Sequence, residues 1–446
     1  MKKFVLAFAV IVFSGFGLPA ETITLEQARI LALANSRSLA RHNLAIRNAL
    51  LDERSQFYLM LPSLSAEYSV TMNYIERDWG FVNPVDTLNL GATFSITQVI
   101  FAGGRRFIQR AISAITTESV RNEALAEYFN VLDAVDNAFY AVLEAAASLE
   151  AAESSLQTAA LSLSMAEIRR AGGMISWGDY LRALADKEAR ENSRNQARRN
   201  LSLSLTRLNA LTGLSGTTSL EQIDFDIYEK IISHLAGISD EEADALYERF
   251  WDVLVRANPS LRRASLNTQR AERSLSLARR EYLPTISATV FSTALNYSPV
   301  TGFSSQAGGG VSIRGSIPLD FWVMSNRVER SRIARDLAVL DHLGTEVSLE
   351  TDLQSALINA IAQAESVLSS RRTLEYTESH FEYVMERYRL LQASVSNLSD
   401  ASSMLITGRN NYIRASYDFL RSLSRLRLLG AIDDEDQLAR LILGDS

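Results

Sequence analysis

The chain has 446 residues, a formal net charge of -7, 47% hydrophobic residues, 7 prolines and no cysteine. That much apolar content can bury a core, and the acidic balance argues against a nucleic-acid partner. The missing cysteine excludes disulfides, thiol chemistry, Cys-based metal sites and an N-terminal lipid-attachment cysteine, while scarce proline favours long uninterrupted helices.

Residues 1–20, MKKFVLAFAVIVFSGFGLPA, read as a signal peptide: Lys2 and Lys3 precede the apolar run Phe4–Phe16, and Ala20 precedes Glu21. No other stretch approaches eighteen consecutive apolar residues, so no transmembrane helix is predicted. Helices are expected over 24–60, ending at Leu61-Pro62, where proline pushes its predecessor to an extended conformation. Beyond that corner Leu64, Ala66, Tyr68, Val70, Met72 and Tyr74 alternate with polar residues, and Leu88, Leu90, Ala92, Phe94 and Ile96 do so again. These period-two runs predict a β-hairpin over 62–101, its strands about as long as those that cross a bilayer. Long helices follow at 104–170 and 177–211, where apolar residues recur at three- and four-residue steps. About 67 residues of helix reach roughly 100 Å, a length that indicates antiparallel coiled-coil pairs.

The plan then recurs. After an equatorial connecting element at 213–245, Ala257-Asn258-Pro259-Ser260-Leu261 is similar to Ala34-Asn35-Ser36-Arg37-Ser38-Leu39. A helix over 246–282 ends at Leu283-Pro284, a hairpin spans 284–320, long helices span 326–392 and 398–429, and 431–446 forms a tail. Residues 21–212 and 246–430 thus read as two internal repeats. Phe291 and Leu295 break phase in the third strand, which a bulge would explain. The fold class is mainly α with four β-strands per chain.

Four strands with one apolar and one polar face have two possible settings. One is a sandwich half-buried against the helices. The other is lipid, where open edges are not tolerated and four strands are too few to close a barrel, so chains must share one. In that setting Tyr68, Val70, Phe94, Ile96, Val311 and Ile313 face lipid, and Glu67 and Arg314 line the lumen. Tyr74, Trp79, Phe81, Tyr297 and Phe303 near one end, with Phe101, Phe321 and Trp322 near the other, are expected as aromatic girdles.

Thr24-Leu25-Glu26-Gln27-Ala28 leading into Leu31-Ala32-Leu33-Ala34-Asn35, both Leu-Pro corners, and Gln98-Val99-Ile100-Phe101-Ala102-Gly103-Gly104-Arg105 resemble TolC-like outer-membrane factors. The resemblance covers essentially the whole mature chain. It implies a homotrimer closing a twelve-stranded transmembrane barrel on a helical tunnel, in the cell outer membrane with the helical part in the periplasm. It also implies docking to a periplasmic adaptor (membrane fusion) protein and an inner-membrane transporter, in a tripartite efflux or type I secretion system. Adaptor docking falls at the helix tips, on Gly172, Gly173, Met174, Ile175 and Ser176 and on Ser394, Val395, Ser396 and Asn397. Asp179 and Asp400 match the family's gate aspartates, while the family's second carboxylate falls at Ser403 and its arginine and tyrosine gate partners at Ser396 and Leu391. Ser394 stands where the family usually has glycine.

The plainer reading of Ser176-x-x-Asp179 and Asn397-x-x-Asp400 is a pair of capping boxes. The four histidines show no metal-ligand spacing, and no phosphate loop or nucleophile elbow occurs. No enzyme activity, cofactor or metal is expected. Arg421, Arg425 and Arg427 are expected to complement the dipole of the last long helix, and Asp433-Asp434 to be solvated. The functional expectation is a passive export duct; the alternative is an elongated periplasmic coiled-coil scaffold without a pore.

Overall fold

The computed structural model describes residues 22–73, 87–214, 219–298, 302–304 and 308–444. The predicted signal segment, Tyr74, Trp79 and Phe81 lie outside the described residues, as does the predicted hairpin tip 76–86. In chain order the elements are α1 (Leu25–Asn35), α2 (Arg37–Tyr58), β1 (Ser63–Asn73), β2 (Thr87–Phe101), α3 (Arg105–Ala171) and α4 (Trp177–Thr212). Then come α5 (Glu229–Ala236), α6 (Asp240–Ala257), α7 (Pro259–Arg279), β3 (Thr285–Ser298), β4 (Gly302–Ser304), β5 (Gly308–Ser316), α8 (Phe321–Arg389), α9 (Val395–Gly430) and α10 (Glu435–Leu443).

The helices expected over 24–60 meet at Ser36, whose backbone is extended; the single helix expected in the second repeat is divided. The one predicted over 246–282 breaks at Asn258, whose side chain accepts from the amides of Ser260 and Leu261 at 2.9 and 3.2 Å, with Pro259 at the first helical position. A side-chain cap plus a proline without an N–H restarts a helix at that point. The predicted tail also carries structure, since Asp434 caps α10.

The chain divides into two compact units: one holds the residues up to Arg37, Tyr128–Leu254 and those from Asp352 on; the other holds Ser38–Glu127 and Val255–Thr351. In the second unit an antiparallel sheet runs β1-β2-β3, and β4 and β5 pair with successive parts of β3. The bulge anticipated in β3 is present. Ala92 pairs with Leu295 but Thr93 pairs with Thr293, so Ala294 is extra and resets the alternation. Leu64, Ile96, Val290 and Val311 line up across the sheet. On the other face Ser65 and Ser95 pair at 2.7 Å, and Thr97 and Thr289 at 3.0 Å. Gly310 lies under the Phe291 ring, where an added Cβ would come within 2.9 Å of it.

Helix-to-strand corners in this unit are tied by arginines. Arg105 donates to the Ala102 carbonyl at 3.0 Å and to the Thr285 hydroxyl, Arg106 to the Leu59 carbonyl, and Arg280 to the Gly103 carbonyl at 3.1 Å. Gly103 and Gly104 sit at φ 60° and 73°, which lets β2 turn directly into α3.

Two hydrophobic clusters of the helical unit bear on the site. In the first, Ala28 and Ala32 of α1 pack with Val135, Phe139, Tyr140 and Leu143 of α3, Leu208 of α4, and Tyr417 and Leu420 of α9. Beside it lies a buried ionic cluster. Asp136 is fully buried; it accepts from Arg29 at 2.7 and 3.0 Å, from Arg427 at 2.6 Å and from Ser424 at 3.1 Å. Glu435 of α10 accepts from Arg29 at 2.6 Å and faces Arg427 at 3.5 Å. Arg427, in the last turn of α9, thus neutralises the buried Asp136 carboxylate, and Arg421 pairs with Asp418 at 2.6 Å and with Glu144. Asp433 accepts from the Tyr128 hydroxyl at 3.0 Å. Burial pushes the Tyr128 and Tyr228 phenols up to about 12, so both remain neutral donors.

Candidate functional site

Another hydrophobic cluster of the helical unit builds the helix tips. Ala166 of α3, Ala183 of α4, Val384 and Tyr388 of α8, and Val395, Leu398 and Ala401 of α9 pack together. Both hairpins turn the same way. At the first, Gly173 takes φ 69°; its amide donates to the Arg170 carbonyl at 2.9 Å and that of Met174 to Arg169 at 2.8 Å. At the second, Leu391 takes φ 62°; its amide donates to Tyr388 at 3.1 Å and that of Gln392 to Arg387 at 2.7 Å. These paired bonds close a helix end around one left-handed residue. Leucine thus holds a position that favours glycine, three residues before Ser394.

Each new helix then starts on a serine. Ser176 caps α4: its hydroxyl accepts from the Asp179 amide at 3.1 Å, and the Asp179 carboxylate accepts back from the Ser176 amide at 3.3 Å and hydroxyl at 2.8 Å. The reciprocal capping box is complete at this tip. The second differs from expectation. Ser394, not Asn397, caps α9, and accepts from the Asn397 amide at 3.2 Å. Helix α9 therefore begins at Val395 rather than 398, Asn397 takes the place equivalent to Asp179, and Asp400 lies a turn deeper. The reason is register: the turn closes on Leu391, and an N-cap follows three residues after the left-handed residue at both tips.

Released from capping, Asp400 faces Arg182 of α4 at 3.6 Å, with both side chains more than half exposed. Ser403 accepts from Arg190 at 2.7 Å, and Arg190 also pairs with Asp186 at 3.2 Å. The α4–α9 seam thus carries alternating donors and acceptors.

The sequence reading missed the arginine–aromatic contacts at the tips. Arg169 is buried with its guanidinium 3.8 Å from the Tyr388 ring centroid, and it donates to the Tyr388 carbonyl. Arg170 lies over Trp177 at 3.9 Å and Tyr180 at 4.8 Å. Paired arginines in a last helical turn, with Trp and Tyr one turn apart beyond it, were the available signal. Met174 and Trp177 are 55% exposed, and Leu390 and Leu391 more so.

In the sheet unit, Tyr68, Val70, Phe94, Ile96, Val311 and Ile313 are all exposed, Val311 and Ile313 by 72% and 74%. Glu67 and Arg314 are exposed too. The sheet's own unit therefore covers neither face. Among the described residues no helix is long and apolar enough to cross a membrane and no group of side chains could hold a metal ion.

A sequence model described as "Outer membrane efflux protein" matches residues 29–214 and 252–431. Among solved structures, the chain is similar to the Campylobacter jejuni CmeC outer membrane channel, with TM-score 0.77, 14% identity, and 94% and 89% of the two chains covered. It is similar to the open-state Neisseria gonorrhoeae MtrE outer membrane channel at TM-score 0.73, 16% identity, 91% and 88% covered. The Vibrio cholerae outer membrane protein VceC gives TM-score 0.73, 16% identity, 91% and 96% covered. No curated protein sequence matches the chain. The family consists of channel proteins rather than enzymes. The chain belongs to the outer membrane efflux protein family, as a TolC-like protein of the cell outer membrane.

Proposed function

We propose that this protein is the passive trimeric outer-membrane duct of a tripartite export system, joined in the periplasm to an adaptor protein and an inner-membrane transporter. The observation that carries the reading is the sheet. Its four strand positions leave β1 on one edge and β4/β5 on the other unpaired among the described residues, and its apolar face bears exposed Leu64, Tyr68, Phe94 and Ile313. In lipid such edges must be satisfied by other strands. Three copies of four strand positions make a twelve-stranded cylinder with Glu67 and Arg314 on its wet side. The family match in two segments supports two copies of one plan. Exposed Met174, Trp177, Leu390 and Leu391 at the tips suit an apolar-rimmed docking surface that also includes Gly172, Gly173, Ile175, Ser176, Ser394, Val395, Ser396 and Asn397. Asp179 and Asp400 are proposed to set the charge at the narrow end, and Arg182 to offset Asp400.

Fractionation, gel mobility and planar-bilayer recording test the duct together. Heat-modifiable trimers in outer-membrane fractions with discrete conductance steps are expected. Recovery as a water-soluble monomer without conductance would instead establish the pore-free scaffold.

A further inference from the structure

An arginine collar surrounds the helix-to-strand corners. Segments 54–61, 101–110, 279–285 and 317–330 hold eight arginines against three carboxylates, in a chain that is acidic overall. Four are committed locally: Arg105, Arg106 and Arg280 donate to backbone carbonyls, and Arg327 pairs with Glu281. Of the remaining carboxylates, Glu329 faces Arg332 at 3.6 Å and Asp320 stands at the start of α8. Arg54, Arg110, Arg279 and Arg330 are exposed and have no carboxylate partner among the described residues.

Aromatic rings share the same helix faces. Phe57 and Tyr58 lie one turn from Arg54 on α2, Phe107 one turn from Arg110 on α3, and Tyr282 three residues beyond Arg279. Val323, Arg327 and Arg330 follow at four- and three-residue steps on α8. Arg110 sits 5.3 Å over the Phe57 ring, and Tyr282 stacks on Phe321 at 6.3 Å. Phe107 is 72% exposed and Trp322 69%. Such an apolar rim would be a liability in water. Beside a bilayer, aromatic rings settle at headgroup depth, and arginines one helical turn away reach the phosphate layer. Guanidinium binds phosphate oxygens in a planar, bidentate manner that an ammonium cannot match.

From this arrangement we propose that Arg54, Arg110, Arg279 and Arg330 bind the phosphates of anionic lipids in the leaflet nearest the helices. The proposal rests on the sheet lying in lipid, and it adds a lipid preference that the duct by itself does not require.

The test uses the full chain reconstituted in phosphatidylcholine vesicles with or without phosphatidylglycerol. Quenching of its tryptophan fluorescence by brominated forms of each lipid reads their relative affinity. The native chain is expected to favour phosphatidylglycerol by about fivefold for each engaged arginine at low salt. R54Q/R110Q/R279Q/R330Q should lose that preference, the milder R54Q/R279Q should lose part of it, and the four arginine-to-lysine changes should retain part. Equal quenching by the two lipids in the native chain, or an unchanged ratio in the glutamine variants, overturns the proposal. So does displacement of phosphatidylglycerol by inorganic phosphate, which would assign the arginines to a free anion. Conductance in pure phosphatidylcholine separates the two ideas. Variants that conduct normally but keep the native lipid ratio refute only the collar, whereas a native chain that never conducts refutes the duct.

Discussion

Replacing Asp136 with Ala probes the buried ionic cluster most directly. The carboxylate has no solvent exposure and neutralises Arg427, itself 4% exposed. With Asp136 gone, Arg427 keeps only Glu435, at 3.5 Å, and Arg29 loses both its bonds to α3. Leaving one member of a buried pair uncompensated costs about 3–5 kcal/mol. For a unit of this size each kcal/mol moves a melting midpoint by roughly 2–4 °C, so a drop on the order of 6–20 °C is expected. Far-UV circular dichroism on heating reads it, and added salt should change the difference little because the pair is screened from solvent. D136L/R427M supplies the internal check: it removes both charges and leaves Arg29 with Glu435 at 2.6 Å. It should melt above D136A. A D136A chain melting within about 2 °C of the native one, or a double variant worse than the single, would refute the idea that an orphaned guanidinium sets the cost.

Other expectations follow from the same geometry. Asp133 is held above its ordinary range, first by burial and then by neighbouring Asp136; its native pKa exceeds the unfolded one, so its stabilising contribution is present at acid pH and lost as pH rises through the raised value. Asp133→Asn should therefore raise the melting midpoint at neutral pH, with the gap closing below about pH 4; a lower midpoint at pH 7 would contradict this. Leu391→Gly should stabilise the second tip by up to about 1 kcal/mol, because a left-handed Leu costs roughly 1–2 kcal/mol while Gly loses more backbone entropy; denaturant melts decide it, and a loss of stability would show the exposed leucine contributes more than its strain. Ser176→Ala should cost about 1 kcal/mol of local protection at the start of α4, read by amide hydrogen exchange at Gly178 and Asp179. In bilayers, Asp400→Ala should shift the reversal potential toward anion selectivity by freeing Arg182, and Arg182→Ala should shift it the other way; two unchanged potentials would remove both residues from the ion path.

Much of this protein can be read from periodicity and punctuation. Leu61-Pro62 and Leu283-Pro284 mark helix-to-strand corners, since proline limits its predecessor locally, whatever surrounds it. The phase slip between Phe291 and Leu295 announces the bulge at Ala294, because alternation of side chains across a strand is a local property. The Ser176–Asp179 box is legible for the same reason: both partners lie within one turn. The second tip misled because Asn397-Leu398-Ser399-Asp400 satisfies the same local rule as Ser394-Val395-Ser396-Asn397. Which frame caps the helix depends on where α8 ends, at Leu391, and leucine gives no sign of a left-handed turn.

Sequence alone thus determined the element types, the corners, the bulge and the amphipathic strands, because each is decided by interactions within a few residues. Only the tertiary structure decided that Asp136 meets Arg29 and Arg427, that Arg169 lies against Tyr388, and that Asp400 faces Arg182. Those pairs bring together residues as many as 291 positions apart, and a charge carries no mark in the sequence of which distant partner will neutralise it.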